Sequence, residues 1–222
     1  MKLTVFDSTG KELRKIDAAD EVFAIEPNRS VLHQAYVAQM GNRRGGNAST
    51  KTRGEVRGST FKTRKQKGLG HSRQGGIRAP HHVGGGVAFG PKPHSFAKDL
   101  PRQMRRLALR SALSSHAAGG TLIVVEGLAA ADARTRTVQT ALDALGVDRR
   151  ALLVTGEHVA ELQRAGSNID IAKVVPAQNL NVVDLINAHR VLMSEDAVRK
   201  CEALWGGANL KPSRGKRAGE AV

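Results

Sequence analysis

Residues 122–206 read LIVVEGLAAADARTRTVQTALDALGVDRRALLVTGEHVAELQRAGSNIDIAKVVPAQNLNVVDLINAHRVLMSEDAVRKCEALWG, and this stretch decides the fold. Short apolar runs alternate with amphipathic segments of helix length. LIVVE (122–126) has the length and composition of a buried strand. Residues 132–145 carry a helical period that stops at Gly146. ALLVTG (151–156) is a second buried strand, and a helix follows over 157–165, stopped by Gly166. IAKVV (171–175) is a strand ended by Pro176, VVDLINA (182–188) a short helix, and 191–193 a last strand. Ser194 is placed to cap a final helix that reaches Trp205 and ends at Gly206 and Gly207. Strand–helix–strand units with short connections build a mostly parallel sheet with helices on both faces, so the chain is of the α/β class.

Upstream of this stretch, a helix is expected from Leu100 to about His116, with Asp99 as the candidate cap. Leu100, Met104 and Leu107 share one face, and Arg102, Arg105, Arg106 and Arg110 the opposite one. Leu109 and Leu113 interrupt the basic face, so the C-terminal half of the helix is buried on both sides. At the other end of the chain, Leu3, Val5 and Phe6 mark a strand and DSTGK (7–11) a turn. Val31, Leu32, Ala35, Tyr36 and Met40 have helical spacing, with Asn28 as cap and Gly41 as stop.

Between these flanks the character of the chain changes. Of its 222 residues, 35 are Lys or Arg and 20 Asp or Glu, a net charge of +15. The excess is local: residues 41–110 hold 17 basic residues and two acidic ones, Glu55 and Asp99. Residues 41–90 also hold 13 of the 24 glycines. Val56, Leu69, Ile77, Val83 and Val87 are thinly spread there, with no period. Such a stretch buries too little apolar area to offset its ordering entropy, and an unstructured run of this length within a domain signals either function or disorder. We therefore expect one α/β domain over 1–205, contributed by both ends of the chain. A basic glycine-rich loop over 41–95 interrupts it, and a flexible basic tail follows over 206–222.

The loop has the chemistry of a nucleic-acid ligand. Lys and Arg neutralise phosphates, and glycine lets the backbone approach a strand closely. Neutral Asn, Gln, Ser and Thr reach sugars and base edges, while Arg and His planes stack on unpaired bases. The candidate contacts are Arg43, Arg44, Lys51, Arg53, Arg57, Lys62, Arg64 and Lys65, then Lys67, His71, Arg73, Arg78 and Lys92. Arg102, Arg105 and Arg106 of the following helix join them. A tail of similar composition would have one free end, but this segment is closed by folded chain on both sides. A general architectural or regulatory nucleic-acid-binding protein is the alternative. It would share the basic loop without needing this core.

Other chemistries find little support. His71, His81, His82 and His94 lie in the loop without a cysteine or a placed carboxylate, amid positive charge that repels a cation, so no metal is expected. GLGHSR begins like a dinucleotide fingerprint, but Arg73 occupies the place of the last glycine and no strand precedes it. No phosphate-loop motif occurs, and no nucleotide or other cofactor is expected. No nucleophile elbow is present, and Ser115–His116 reads as a helix end. Glu126 and Asp170, near strand ends, stand singly. The single cysteine, Cys201, reads as a packed or surface thiol rather than an activated one, and suits a reducing cytoplasm. The first ten residues lack the apolar core of a signal peptide. No apolar run has the roughly 18–20 residues of a membrane span. The chain is expected to be a soluble cytoplasmic protein and not an enzyme.

KTRGEVRGS (51–59), RKQKGLGHSRQGGIRAPHHVGGGVAFGP (64–91), PRQMRRLALRSALS (101–114), LIVVEG and LLVTG together resemble the bacterial large-subunit ribosomal protein four family over roughly residues 1–205. That resemblance implies a three-layer α/β/α domain and a loop that reaches between rRNA helices to the wall of the peptide exit tunnel. It implies large-subunit rRNA as an early assembly partner, with neighbouring large-subunit proteins and the nascent polypeptide as further partners. Lys51, Thr52, Arg53, Val56 and Gly58 match the outgoing strand of the family's loop. Gln66, Lys67, Gly68, Gly70 and Arg73 match its tunnel-side tip, and Gly85, Gly86, Val87 and Phe89 its return turn. Members often carry an aromatic residue near the tip, where Thr63 and Arg64 stand here, and Arg where His71 stands.

Overall fold

A computed structural model describes residues 1–127 and 134–207. The chain divides into two units, Met1–Met40 with the segment from Asp99 onward, and Gly41–Lys98. The first unit holds a six-stranded sheet. Its strands are β1 (Lys2–Phe6), β2 (Glu12–Asp17), β3 (Leu122–Val125), β4 (Ala151–Thr155), β5 (Ala172–Pro176) and β6 (Arg190–Met193). They lie in the order β2-β1-β3-β6-β4-β5. The β1–β2 pair is antiparallel and every other pair is parallel.

The alternation within the central strands sorts their side chains into two cores. Val124, Met193, Leu152 and Val154 meet Leu113, Leu185, Val198 and Trp205 on one face. Val125, Leu192, Ala151 and Leu153 meet Val138, Leu142, Leu162 and Ala165 on the other. On the first face lie α1 (Asp20–Phe23), α3 (Arg102–Ala118), α6 (Val182–Asn187) and α7 (Glu195–Trp205). On the second lie α4 (Thr135–Ala144) and α5 (Ala160–Ser167). The result is an α/β/α sandwich. Burial on both faces is why these strands read as continuous apolar runs.

Several boundaries differ from the sequence reading. Asp99 does not cap α3: Pro101 is the N-cap residue, and Arg105 N–H donates to its carbonyl at 3.1 Å. Pro101 itself has φ −54° and ψ 142°, outside helical geometry, so the helix begins at Arg102. α5 begins at Ala160 rather than at 157. Thr155 Oγ1 donates to Glu157 O at 2.6 Å, and the chain bends at 156–157 before the helix begins. Gly166 does not stop α5 but lies inside it. A Cβ there would stand 2.7 Å from Val174 Cγ2, so this glycine lets the helix lie close on β5. α2 (Arg29–Asn42) runs one residue past Gly41, while Asn28 caps it as read, accepting from Val31 N–H at 3.1 Å. Residues 132 and 133 of the helix expected over 132–145, and the tail beyond 207, lie outside the described residues. No helix among the described residues is long and apolar enough to cross a membrane.

Candidate nucleic-acid interface

The unit Gly41–Lys98 has no core. Gly86 is its one buried residue, and after the end of α2 its regular structure is a single antiparallel bridge between Lys62 and Gly76. It is nevertheless ordered by a series of bonds between an outgoing and a returning arm. Lys98 N–H donates to Asn42 Oδ1 at 2.7 Å, and Asn42 Nδ2 donates to Lys98 O at 3.3 Å. Next come His94 N to Gly46 O (3.2 Å), Thr50 N to Pro91 O (3.0 Å) and Val87 N to Lys51 O (2.9 Å). Arg78 Nη1 to Val56 O (3.0 Å) and Thr63 N to Gly75 O (3.1 Å) complete the series. Side-chain burial does not hold the arms together; backbone contact does. A Cβ on Gly86 would fall 2.2 Å from Arg53 N, and one on Gly46 1.7 Å from His94 O. At the tip the glycines serve turning instead: Gly68 (φ +86) and Gly70 (φ +65) have nothing within 4 Å of a Cβ.

Within this frame the basic side chains fall into two groups. Arg43, Lys51, Arg53, Arg57, Arg64, Lys65, Lys67 and Arg73 are exposed and, among the described residues, paired with no carboxylate. His71 and the tip residues Gln66, Gly68 and Gly70 are exposed as well. The second group is engaged within the unit. Lys92 Nζ donates to Glu55 Oε2 at 2.6 Å and to Thr50 O at 2.9 Å. Arg78 holds Val56 O, Lys62 donates to Gln66 Oε1, and Arg44 lies 4.0 Å over the Phe96 ring. Lys92, Arg78 and Arg44 brace the arms, and Lys62 ties locally to the tip, roles the sequence reading did not give them. On α3, in the other unit, Arg102 and Arg105 are exposed and Arg106 is half-buried.

Two further residues shape the site without having been singled out for it. Asn42 closes the foot of the arms through its side-chain amide. Glu55 accepts from Thr52 N–H at 2.9 Å as well as from Lys92. Its carboxyl is held below the ordinary value by the Lys92 hydrogen bond first and the Thr52 backbone bond second. The spacing of Asn42 and Glu55 from Lys98 and Lys92, 56 and 37 residues, left no local signal to read. Among the described residues no three His, Cys, Asp or Glu side chains gather to hold a metal. The His81 and His82 rings meet at a tilt with centroids 4.2 Å apart, and the His94 and Phe96 rings likewise at 4.3 Å.

An α/β domain carrying a coreless, cross-braced unit that presents unpaired cations is built around a binding surface rather than a catalytic cleft. Residues 16–204 match the Ribosomal protein L4/L1 family, and the chain belongs to that family. It is thus a ribosomal protein, a structural component and not an enzyme. The large ribosomal subunit protein uL4 of Brevibacillus brevis is 43% identical over 201 residues, covering 90% of this chain and 97% of that protein. Its counterpart in Dehalococcoides mccartyi is 40% identical over 206 residues, covering 93% and 98%. The uL4 protein of Lactobacillus johnsonii is 38% identical over 200 residues, covering 90% and 97%.

Proposed function

We propose that this chain is a constituent of the large ribosomal subunit that binds large-subunit rRNA early in assembly through the unit 41–98. Its tip, Gln66, Lys67, Gly68 and Gly70, lines the polypeptide exit tunnel, where it meets the nascent chain. The observation that carries the reading is the set of eight exposed cations without carboxylate partners on a frame braced by its own backbone and inward-turned side chains. A coreless unit held in this way gains nothing from burial on its own. Its cations are placed to exchange condensed counterions for phosphate contacts. Arg102, Arg105 and Arg106 supply further phosphate contacts from α3, and neighbouring large-subunit proteins are the remaining partners. The protein works on cytoplasmic ribosomes.

Crosslinking in living cells, followed by sequencing of the RNA bound to this chain, tests the proposal. Large-subunit rRNA should dominate, with sites attributable to residues 43–73. Enrichment of messenger RNA or DNA in its place would overturn it in favour of a general regulatory or architectural role.

A further inference from the structure

Three of the five phenylalanines, Phe61, Phe89 and Phe96, stand in the unit that has no core for them to fill. Phe96 is used inside the unit, against His94 and Arg44. Phe61 and Phe89 are exposed, Phe89 completely. Its backbone sets Phe89 apart from the rest of the molecule. At φ +51 it is the single non-glycine residue with positive φ among the described residues. A bulky side chain in that region is a steric outlier. Such strain persists only where the surroundings over-determine it, and it gathers at binding sites.

Here the surroundings do over-determine it. Residues 88–90 form an arch with both feet on the opposite arm. Val87 N–H donates to Lys51 O at 2.9 Å on one side, and Pro91 O accepts from Thr50 N–H at 3.0 Å on the other. Lys92 Nζ, held by Glu55, donates to Thr50 O at 2.9 Å just beyond the second foot. A Cβ on Gly90 would lie 2.1 Å from Thr50 Oγ1, so the backbone after Phe89 presses directly on Thr50. The arch therefore has no room to relax by sinking, and the ring is carried outward against no protein group.

We propose that Phe89 is a preset stacking post for an unpaired nucleobase, a contact that rests on the RNA-binding reading above. A flat apolar ring offers its face to any base, and a base stacked on such a ring needs no specific hydrogen bonds. Lys51 and Arg53, exposed and without carboxylate partners, flank the arch in the opposite arm and attract the phosphates of the strand that carries the base. Because the arch is already fixed, the post is ready without ordering on contact, which removes a cost that a mobile aromatic would meet on binding.

The test uses the full chain and deproteinised full-length large-subunit rRNA at fixed salt. Phe89→Ala should weaken binding by about five- to 150-fold, the effect expected for losing one stacked base. Phe89→Leu, which keeps apolar bulk but no flat face, should also weaken it, and Phe89→Trp should preserve it. The log–log salt slope should stay unchanged in all three, since no cation is removed. Thermal unfolding should match the wild type, since the ring packs on nothing. In assembled subunits, a photoreactive benzoylphenylalanine at position 89 should crosslink to RNA. Equal binding by the wild type, Ala and Leu variants would overturn the post while leaving the RNA-binding reading intact. A crosslink to a protein, or none, would overturn the post as well. Failure of the wild type to bind the rRNA would overturn both.

Discussion

Glu55 is the one carboxylate in the unit 41–98, and its position in a field of cations shows how residue-scale contacts divide the work. It draws Lys92 inward across 37 residues of chain, so one cation braces the arms while Lys51, Arg53 and Arg57 stay free of carboxylates. From the sequence, Lys92 and Lys51 were indistinguishable, because the partner of Lys92 is distant in the chain. Cys201 is a second case: the sequence reads it as an unactivated thiol, packed or on the surface, and the structure decides for packed. It is buried in the core of α7, and desolvation, with a smaller push from the neighbouring Glu202 carboxylate, raises its thiol to about 12. A thiol held protonated at neutral pH is a poor nucleophile. In native protein Cys201 should therefore resist an aromatic disulfide reagent at pH 8, and it should react with full stoichiometry once the protein is unfolded in denaturant. Rapid reaction in the native state would show that α7 opens.

At the scale of elements, α3 is anchored by polar side chains as well as by leucines. Ser114 Oγ accepts from Ile25 N–H at 3.0 Å and donates to Val22 O at 3.1 Å, which fastens the chain after α1. At the C-terminal end of α3, His116 joins three elements. Its Nε2 lies 2.9 Å from Leu185 O on α6 and its Nδ1 2.8 Å from Thr121 Oγ1 at the start of β3. Burial lowers the pKa of His116 below 6.5, opposed by the Leu185 hydrogen bond and reinforced by His189. The unfolded chain then takes up a proton before the folded one does, so this residue contributes stability above pH 6.5 that is lost as pH falls toward the folded value. Melting temperature should drop as pH is lowered through and below 6.5, and His116→Gln should flatten that dependence. A profile that is the same in both proteins would remove His116 from the account. In the other unit the corresponding element-scale contact is Gly86 on Arg53. Gly86→Ala should force the arms apart, leave the melting of the α/β unit unchanged, and speed tryptic cleavage between residues 43 and 78. Unchanged cleavage would mean that the arms are held elsewhere.

For the whole molecule, the two units rest on different physics. One is an α/β sandwich whose two cores are complete without residues 41–98. The other has one buried residue and keeps its order through backbone and side-chain hydrogen bonds between its arms. Replacing residues 41–98 with a short glycine–serine linker should leave a domain that melts cooperatively and has lost most of its affinity for rRNA. A molten or insoluble product would show that the basic unit supports the core. For the full chain, about six to ten phosphate contacts would cut affinity by about 10³–10⁵ between 50 and 200 mM salt. That range is calibrated on duplex DNA, so a smaller slope on folded RNA is compatible with the proposal. A flat response would be incompatible with contacts made by the free cations.

Composition and periodicity were enough to locate the sheet, its parallel character and the two-sided burial of β3, β4 and β6. The spread of 17 basic residues against two acidic ones over 41–110 was enough to locate the candidate surface. These features are local or additive: a buried strand must be apolar along its whole length, and charge can be counted. β2 and α1 escaped the reading for the same reason. β2, Glu12–Asp17, is a polar edge strand that buries Ile16 alone, and α1 is a single turn of four residues. What only the tertiary structure decided are the pairings across long stretches of chain. Lys92 and Arg78 turn inward to brace the arms, Asn42 closes their foot, and Phe89 is held outward in a conformation its side chain disfavours. Each depends on which backbone atoms of the other arm come within hydrogen-bonding distance. No periodicity encodes that, because a coreless segment takes its register from contacts between residues tens of positions apart.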